Sequence, residues 1–214
     1  MRILLILSLV LALVPVPTGL DGQESAPAPP MTFFITSVGR GFGGNLGGLR
    51  GADAHCQQLA NAAGRGDRTW AAYLSAPGAD GAPVVHARDR IGAGPWHNAR
   101  GVEIASSVEH LHSEDNSLGL ETALTEKGTI VSPGRHDILT GSNADGTLAR
   151  GARDTTCRGW TSHTEGRAML GHHNRSGGGQ APASWNSAHL SRGCSQAALR
   201  ASLGDALVYC FARE

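Results

Sequence analysis

The chain has 214 residues, and its 18 basic and 18 acidic side chains give a formal net charge of zero. This length favours a single domain of ordinary size. The balanced charge provides no electrostatic attraction to nucleic acid or to a membrane surface, so neither is an expected partner.

The first residues have the pattern of an export signal. Arg2 supplies a positive charge before an apolar run over residues 3–14, and this run is too short to cross a bilayer. Pro15 then ends any helix. We therefore expect residues 1–26 to be a removable signal. The mature protein should be secreted, into the periplasm or outside the cell, without membrane insertion.

The remaining sequence divides into short elements separated by loops. A proline-rich linker is expected at residues 27–31, followed by one domain over residues 32–214. Runs of β-branched and aromatic residues predict strands. The predicted strands are residues 32–38, 70–75, 137–140 and 206–212, and a short strand entering a helical turn is predicted at 102–112. The 30 glycines of the chain indicate long structured loops between these elements.

The strongest helix signal covers residues 52–63. Apolar side chains recur on one face of this segment from Cys56 to Ala63, with the spacing of an α-helix. Asp53 is predicted to cap the start of the helix, and Gly64 is predicted to end it. One clear helix together with several short strands indicates the α+β class, in which the first and last strands could pair.

The cysteines predict disulfides rather than a metal site. The chain has an even number of them, and an exported protein meets an oxidising environment. No two lie at the close spacing that a zinc knuckle needs. The four residues are Cys56, Cys157, Cys194 and Cys210, and three pairings of them remain open at this point.

Five segments, taken together and in order, resemble one known family. They are GGLRGADAHC (47–56), RTWAAYLSA (68–76), ILTGSNADG (138–146), TTCRGWTS (155–162) and LVYCFA (207–212). In this order and with these cysteines the chain resembles the endostatin family, which has a C-type-lectin-like fold. The resemblance spans residues 33–212. It implies short antiparallel strands with paired N- and C-terminal strands, one main helix, long loops, and the disulfides Cys56–Cys210 and Cys157–Cys194.

The family's ligand sites carry over poorly. Its zinc site uses N-terminal histidines, and this chain has no histidine between residues 27 and 54. Arg50 matches one of the arginines with which the family binds heparan sulfate, but Thr161 stands where another is expected. The calcium-binding aspartate of related lectins is missing at residues 185–187, which read Trp-Asn-Ser. No metal ion or cofactor is therefore expected.

The long loop before the third cysteine forms the ligand face in lectin-like folds. In this chain it is rich in imidazole, amide and aromatic groups, which suit a sugar or another polar small ligand. The predicted ligand-binding residues are Arg50, His172, His173, Asn174, Arg175, Trp185, Asn186 and His189. The alternative is that Trp185 fills a small core and the polar side chains satisfy loop backbone groups.

Three shorter motifs allow a functional interpretation and a neutral one. His110 and His112 lie among acidic residues and could bind a metal from a strand, or could belong to a solvated turn. Residues 65–67 read Arg-Gly-Asp, an integrin-binding tripeptide that an arginine- and glycine-rich chain also contains by chance. Asn174 begins a glycosylation sequon, which matters only in a eukaryotic secretory pathway.

Catalytic signatures are scarce in the sequence. It has no Gly-x-Ser-x-Gly elbow and no His-Glu-x-x-His motif, and disulfides would leave no thiol nucleophile. His136 beside Asp137 could join a serine triad, but sequence gives no geometry for one. We therefore expect a secreted, non-catalytic binding module for an extracellular or cell-surface glycan or for a protein. The alternatives are a metal-dependent or hydrolytic enzyme built on residues 172–189, and a structural module without a small ligand.

Overall fold

The computed structural model describes residues 28–78, 81–151 and 153–214, so the expected signal at 1–26 lies outside the described part. The described residues form an α+β domain. Its strands are β1 (Phe33–Ile35), β2 (Trp70–Ala72), β3 (Trp96–His97), β4 (Glu103–Ala105), β5 (Asp137–Leu139), β6 (Met169–His172), β7 (His189–Leu190) and β8 (Gly204–Ala212). Its helices are α1 (Gly48–Ala62), α2 (Val108–Leu111), α3 (Cys157–Trp160) and α4 (Gln196–Arg200). Among these helices, none has the length and hydrophobicity that crossing a membrane requires.

Strand β8 organises the main sheet. It pairs antiparallel with β1 and β2 and parallel with β5, and the sheet continues from β5 through β6 to β7. Phe33 lies opposite Phe211, so the predicted pairing of the first and last strands is confirmed. The expectation of antiparallel strands throughout is wrong, because β5 and β8 run in the same direction. The long segment between them, which contains β6 and β7, makes the crossover that a parallel pair requires.

Side chains alternate along β8 between two apolar cores. Val208 and Cys210 point to one core, which α1 covers, and Tyr209 and Phe211 point to the other. This alternation follows from the two-residue period of a strand, and burial on both faces explains why the segment is almost continuously apolar. The last strand is therefore the hydrophobic centre of the domain as well as the centre of its sheet.

The disulfides join this centre to its surroundings. Cys56 of α1 is bonded to Cys210 of β8 across 154 residues of sequence, and Cys157 is bonded to Cys194 across 37. Both bonds are those that the family resemblance implies. They fix the main helix to the last strand and fix the turn at α3 to the loop before α4.

The main helix begins earlier than predicted. It starts at Gly48, after Gly47 in a left-handed conformation with φ 74°, so Asp53 lies in the second turn. The prediction of Asp53 as an N-cap is wrong. Its carboxylate instead accepts a hydrogen bond from the backbone N–H of Ala72 at 2.9 Å and pairs with Arg90, whose Nη2 lies 2.7 Å from Oδ2. Asp53 thus fastens the helix to β2.

The other predicted elements are present with shifted ends. The predicted strands shorten to β1, β2 and β5, and the last strand lengthens by two residues at its start. The segment 102–112 contains a strand and a helical turn, as predicted. Strands β3, β6 and β7 were not predicted, because each is short and lies among loop residues.

The contacts of Asp53 give a stability prediction. Serine is a good N-cap but cannot pair with Arg90. We expect Asp53→Ser to lower the free energy of unfolding by about 1–3 kcal/mol, measured by chemical denaturation, because it removes a half-buried charged hydrogen bond. Arg90→Ala should cost a similar amount, and the double variant should be less destabilised than the sum of the two. The control Asp67→Ser, at an exposed position, should change stability by less than about 0.5 kcal/mol. Unchanged stability of Asp53→Ser would contradict this role.

Candidate functional site

Strand pairing brings one carboxylate and three imidazoles together at the end of the sheet. Asp137 is the first residue of β5, and His136 directly precedes it. His172 ends β6 opposite Asp137, and His189 begins β7 opposite Leu170. We refer to these four residues, His136, Asp137, His172 and His189, as the histidine–aspartate cluster.

The Nε2 atoms of the three histidines surround one carboxylate oxygen. Oδ1 of Asp137 lies 3.3 Å from Nε2 of His136, 3.2 Å from that of His172 and 3.5 Å from that of His189. One donor atom each from His136, Asp137 and His172 lies within 4.8 Å of the other two. Three residues thus form a compact donor set, and His189 approaches it from one side.

The central carboxylate is buried without a conventional partner. The side chains of Asp137 and His172 are both completely inaccessible to solvent. Neither carboxylate oxygen of Asp137 has a hydrogen-bond partner among the described residues, and Nε2 of His172 has none either. Burying a charged carboxylate without hydrogen bonds or a counterion is strongly unfavourable, so this arrangement requires an explanation.

Backbone carbonyls orient two of the rings. Nδ1 of His172 lies 2.9 Å from the carbonyl oxygen of Pro182, and Nδ1 of His189 lies 3.1 Å from that of Leu190. A carbonyl only accepts, so each Nδ1 carries a hydrogen, and a ring that is neutral then has its lone pair on Nε2. Histidines that bind metals through Nε2 commonly have this arrangement.

Electrostatics within the cluster favour an ionised carboxylate. Burial acts to raise the pKa of Asp137, but the imidazoles of His172, His189 and His136 outweigh it and hold that pKa below its usual value. Burial lowers the pKa of His136, which favours its neutral form. The pKa of His189 is raised, chiefly by the Asp137 carboxylate.

Glycines let the loop after β6 lie directly against the rings. A Cβ atom on Gly177 would lie 2.6 Å from Cε1 of His136, and one on Gly179 would lie 2.8 Å from Cδ2 of His189. Both residues have φ near 120°, a conformation that side chains disfavour. The glycine-rich loop therefore forms a close-fitting wall beside the cluster.

A cavity of about 350 Å³ opens on one side of the cluster. His136 and His189 line it, together with Gly178, Gly179, Leu190, Arg192, Ala201, Ser202 and Leu203. The side chain of His189 is 23% exposed, whereas Asp137 is completely buried. The cluster thus has an inner pair, Asp137 and His172, and an outer pair that faces the cavity.

The predicted ligand residues fall into three places. His172 and His189 belong to the cluster, and His173 lies beside it, buried, with neither ring nitrogen hydrogen-bonded to any described residue. A second cavity, of about 570 Å³, is lined by Arg175, Trp185 and Asn186 of the predicted set. Asn174 is half-buried next to Arg175, and Arg50 is exposed on α1, remote in sequence from both cavities.

In the second cavity the predicted ligand residues are largely engaged in the fold. Trp185 is 3% exposed and packs against Tyr73 and Tyr209. The amide nitrogen of Asn186 donates to the Tyr73 hydroxyl at 2.9 Å and approaches two backbone carbonyls. Arg175 donates from Nε to the carbonyl of Leu118 at 2.7 Å. These contacts agree with the alternative in which Trp185 and Asn186 stabilise loops.

The acidic segment around α2 does not gather its histidines. His110 contacts Ser106, whereas His112 points inward, and its Nε2 lies 2.7 Å from the Tyr73 hydroxyl. Only the group containing His136, Asp137 and His172 meets the geometric requirements for a metal site within the described ranges. No serine hydroxyl in the described ranges hydrogen-bonds to His136, so a serine triad is not formed there.

His136 and Asp137 are neighbours in the sequence, but no local sequence pattern joins them to His172 and His189. The signal that could have joined them is the position of each residue at a strand end, since such ends meet at one edge of a sheet. Comparison with protein-family models finds no match, and comparison with curated proteins finds none either. The site is therefore interpreted from its own geometry.

The contacts of His112 give a prediction of pH dependence. Its Nδ1 donates a hydrogen bond to the carbonyl of Val108 at 2.7 Å. Nε2 of the neutral ring therefore accepts a hydrogen bond from the Tyr73 hydroxyl. Burial lowers the pKa of His112 in the folded protein. As the pH falls, His112 is therefore protonated in the unfolded chain before it is protonated in the folded protein. Stability should thus fall as the pH decreases below about 6.5.

Denaturation at several pH values, with a metal chelator present, measures this contribution. We expect His112→Gln to show a weaker loss of stability between pH 7 and 5 than the unmodified protein. His163→Gln, at an exposed position, serves as the control and should follow the unmodified protein. Identical pH profiles for His112→Gln and the unmodified protein would contradict the assignment.

Proposed function

We propose that this protein is an exported metal-binding domain whose histidine–aspartate cluster holds one transition-metal ion of the zinc type. His136, Asp137 and His172 provide the donor atoms. The observation that carries the proposal is the completely buried Asp137 carboxylate, which lacks a hydrogen-bond partner and has three imidazole nitrogens within 3.5 Å of Oδ1.

The spacing of the donor atoms fits a coordination tetrahedron. Zinc bonds of about 2.0–2.2 Å place neighbouring ligand atoms about 3.3–3.6 Å apart along the edges of a tetrahedron. Oδ1 of Asp137 lies 3.3 Å and 3.2 Å from the Nε2 atoms of His136 and His172. The two imidazole donor atoms lie within 4.8 Å of each other, so a shared ion would draw the two rings closer together.

The donor types select the class of metal. Imidazole suits zinc, copper, nickel and iron, whereas calcium and magnesium prefer shells made of oxygen ligands. A donor set of two imidazoles and one carboxylate therefore favours a transition metal. Carbonyl contacts at Nδ1 of His172 and of the neighbouring His189 supply the outer support that metal-binding histidines usually have.

The competing interpretation is a structural ion pair between Asp137 and a protonated His189. A buried ion pair is favourable only with well-aligned hydrogen bonds that satisfy the remaining polar atoms. Here neither Asp137 oxygen has a hydrogen bond to a described residue, and the stacked rings of His136 and His172 crowd the same oxygen. A bound cation satisfies both the carboxylate and the rings, which is why we prefer it.

The endostatin-like identity and the export of the domain belong to the same proposal. The nested disulfides and the pairing of the first and last strands support them. The cluster lies on β5, β6 and β7, so it does not correspond to the N-terminal histidines of that family's zinc site. The metal proposal thus stands independently of the family resemblance.

A glycan or protein ligand is the second candidate function. Arg175, Trp185 and Asn186 line one cavity of about 570 Å³, which is of a size that accepts small ligands. The exposed Glu114 also lines this cavity. On a glycan array, binding that is lost in Glu114→Ala and kept in Glu121→Ala, an exposed glutamate outside this cavity, would support this candidate. An array without reproducible binding would contradict its glycan form.

Metal content tests the principal proposal. We expect the protein, purified without a histidine tag, to retain close to one zinc ion per chain after dialysis, measured by elemental mass spectrometry. Asp137→Asn preserves the shape of the side chain but removes its charge. It should weaken zinc affinity at least about tenfold in a chelator competition, because losing a residue that only supports a metal ligand already costs about that much. His172→Ala should abolish stoichiometric binding.

The matched control is His163→Ala, which removes an exposed histidine outside the cluster. It should keep both the stoichiometry and the affinity. Thermal unfolding of each variant without metal checks that the domain is folded. Substoichiometric zinc in the unmodified protein, or an equal loss in His163→Ala, would overturn the proposal.

A further inference from the structure

The compact donor set leaves one side of a metal ion uncovered by protein. His136, Asp137 and His172 provide three donor atoms that all lie within 4.8 Å of one another, and His189, whose Nε2 lies 3.5 Å from Oδ1 of Asp137, is outside that group. Three protein ligands are typical of zinc sites whose fourth position exchanges ligands, and four are typical of closed structural sites. The number of donors therefore points to an exchangeable position.

The exchangeable position faces the 350 Å³ cavity. The side chains of Asp137 and His172 are completely buried, whereas His136 and His189 line the cavity. The inner side is closed by the sheet, since β5 pairs with both β6 and β8. A ligand can therefore reach the metal only from the cavity side.

The chemistry of the cavity favours an anion. Arg192 is its only cationic side chain apart from the histidines, and no carboxylate residue lines it. Arg192 is exposed, and none of the ion pairs among the described residues includes it. A guanidinium presents a planar fork that matches a carboxylate. The metal and Arg192 thus offer positive charge along the same cavity.

We infer that the cavity binds the carboxylate of a small organic acid, with one oxygen on the metal and the charge of the acid balanced by Arg192. This inference rests on the proposed metal site and names the class of its ligand. The volume of about 350 Å³ limits the ligand to a small molecule. Binding exchanges a metal-bound water for a carboxylate oxygen, and no bond within the ligand is broken.

Cobalt(II) in place of zinc provides the test, because its visible absorption responds to the ligands around it. We expect acetate and succinate to change the spectrum of the cobalt-loaded, disulfide-bonded protein in a saturable way. Acetamide, which is neutral, should cause no comparable change. Arg192→Ala should raise the dissociation constant for succinate at least about tenfold, as expected for a lost charged hydrogen bond, while cobalt content stays at one per chain.

Arg150→Ala is the matched control, since it removes an exposed arginine that does not line this cavity, and it should bind succinate like the unmodified protein. One cobalt per chain with a spectrum that acetate and succinate leave unchanged would overturn the inference and leave the metal site standing. Equal succinate affinity in Arg192→Ala and the unmodified protein would also overturn it. Failure to bind cobalt or zinc at all would overturn both the inference and the proposed function.

Discussion

The pairing of β8 with three other strands is the constraint on which the domain depends. One nine-residue strand provides the hydrogen-bonding edges for β1, β2 and β5 and separates the two apolar cores. Cys210, two residues before the end of this strand, carries the bond to the main helix. Its first residue, Gly204, lies against Asp137, where a Cβ atom would be 3.2 Å from the Cβ of the aspartate. The strand that holds the cores together therefore also places the central carboxylate of the cluster.

The position of Asp137 in this sheet accounts for its chemistry. A carboxylate at the start of a central strand is removed from solvent by neighbours on both sides, and its charge must then be balanced nearby. His172 at the end of β6 and His189 at the start of β7 bring imidazoles to that point, and the carbonyls of Pro182 and Leu190 set the orientation of these two rings. The fold thus accounts for the unfavourable burial of the charge and for the groups that compensate it. His136 and His189 are the two cluster members that line the cavity, and function is assigned to that side for this reason.

Much of the fold could be predicted from local sequence, and the centre of the site could not. The helix, the first and last strands and the turn at 102–112 each have a periodicity or composition visible within a few residues. The predicted start of α1 is wrong because the helix begins after Gly47, which has no side chain to cap it. Asp53 therefore lies inside the helix, where it pairs with Arg90. The site depends on contacts within the histidine–aspartate cluster, and only the register of the sheet strands brings its members together. His172 and His189 were selected as ligand residues from loop composition, but their common partner Asp137 lies more than thirty positions away from either. Trp185 was included because an aromatic ring beside polar groups suits a sugar, and its burial agrees with the alternative in which it fills a core.

The sequence separations of the two disulfides have a consequence for how the chain matures. During synthesis the N-terminal half emerges first, yet β1, β2 and Cys56 all find their partners in β8, within the last eleven residues of the chain. Cys157 meets Cys194 after only 37 residues, so this bond closes a much shorter loop than the bond between Cys56 and Cys210. Long-range pairings of this kind form late because loop closure must precede the contacts that reward it. Strands β1 and β2 therefore lack their partner until the last strand is present. The disulfide of Cys56 can form only at that stage, so it marks a completed domain.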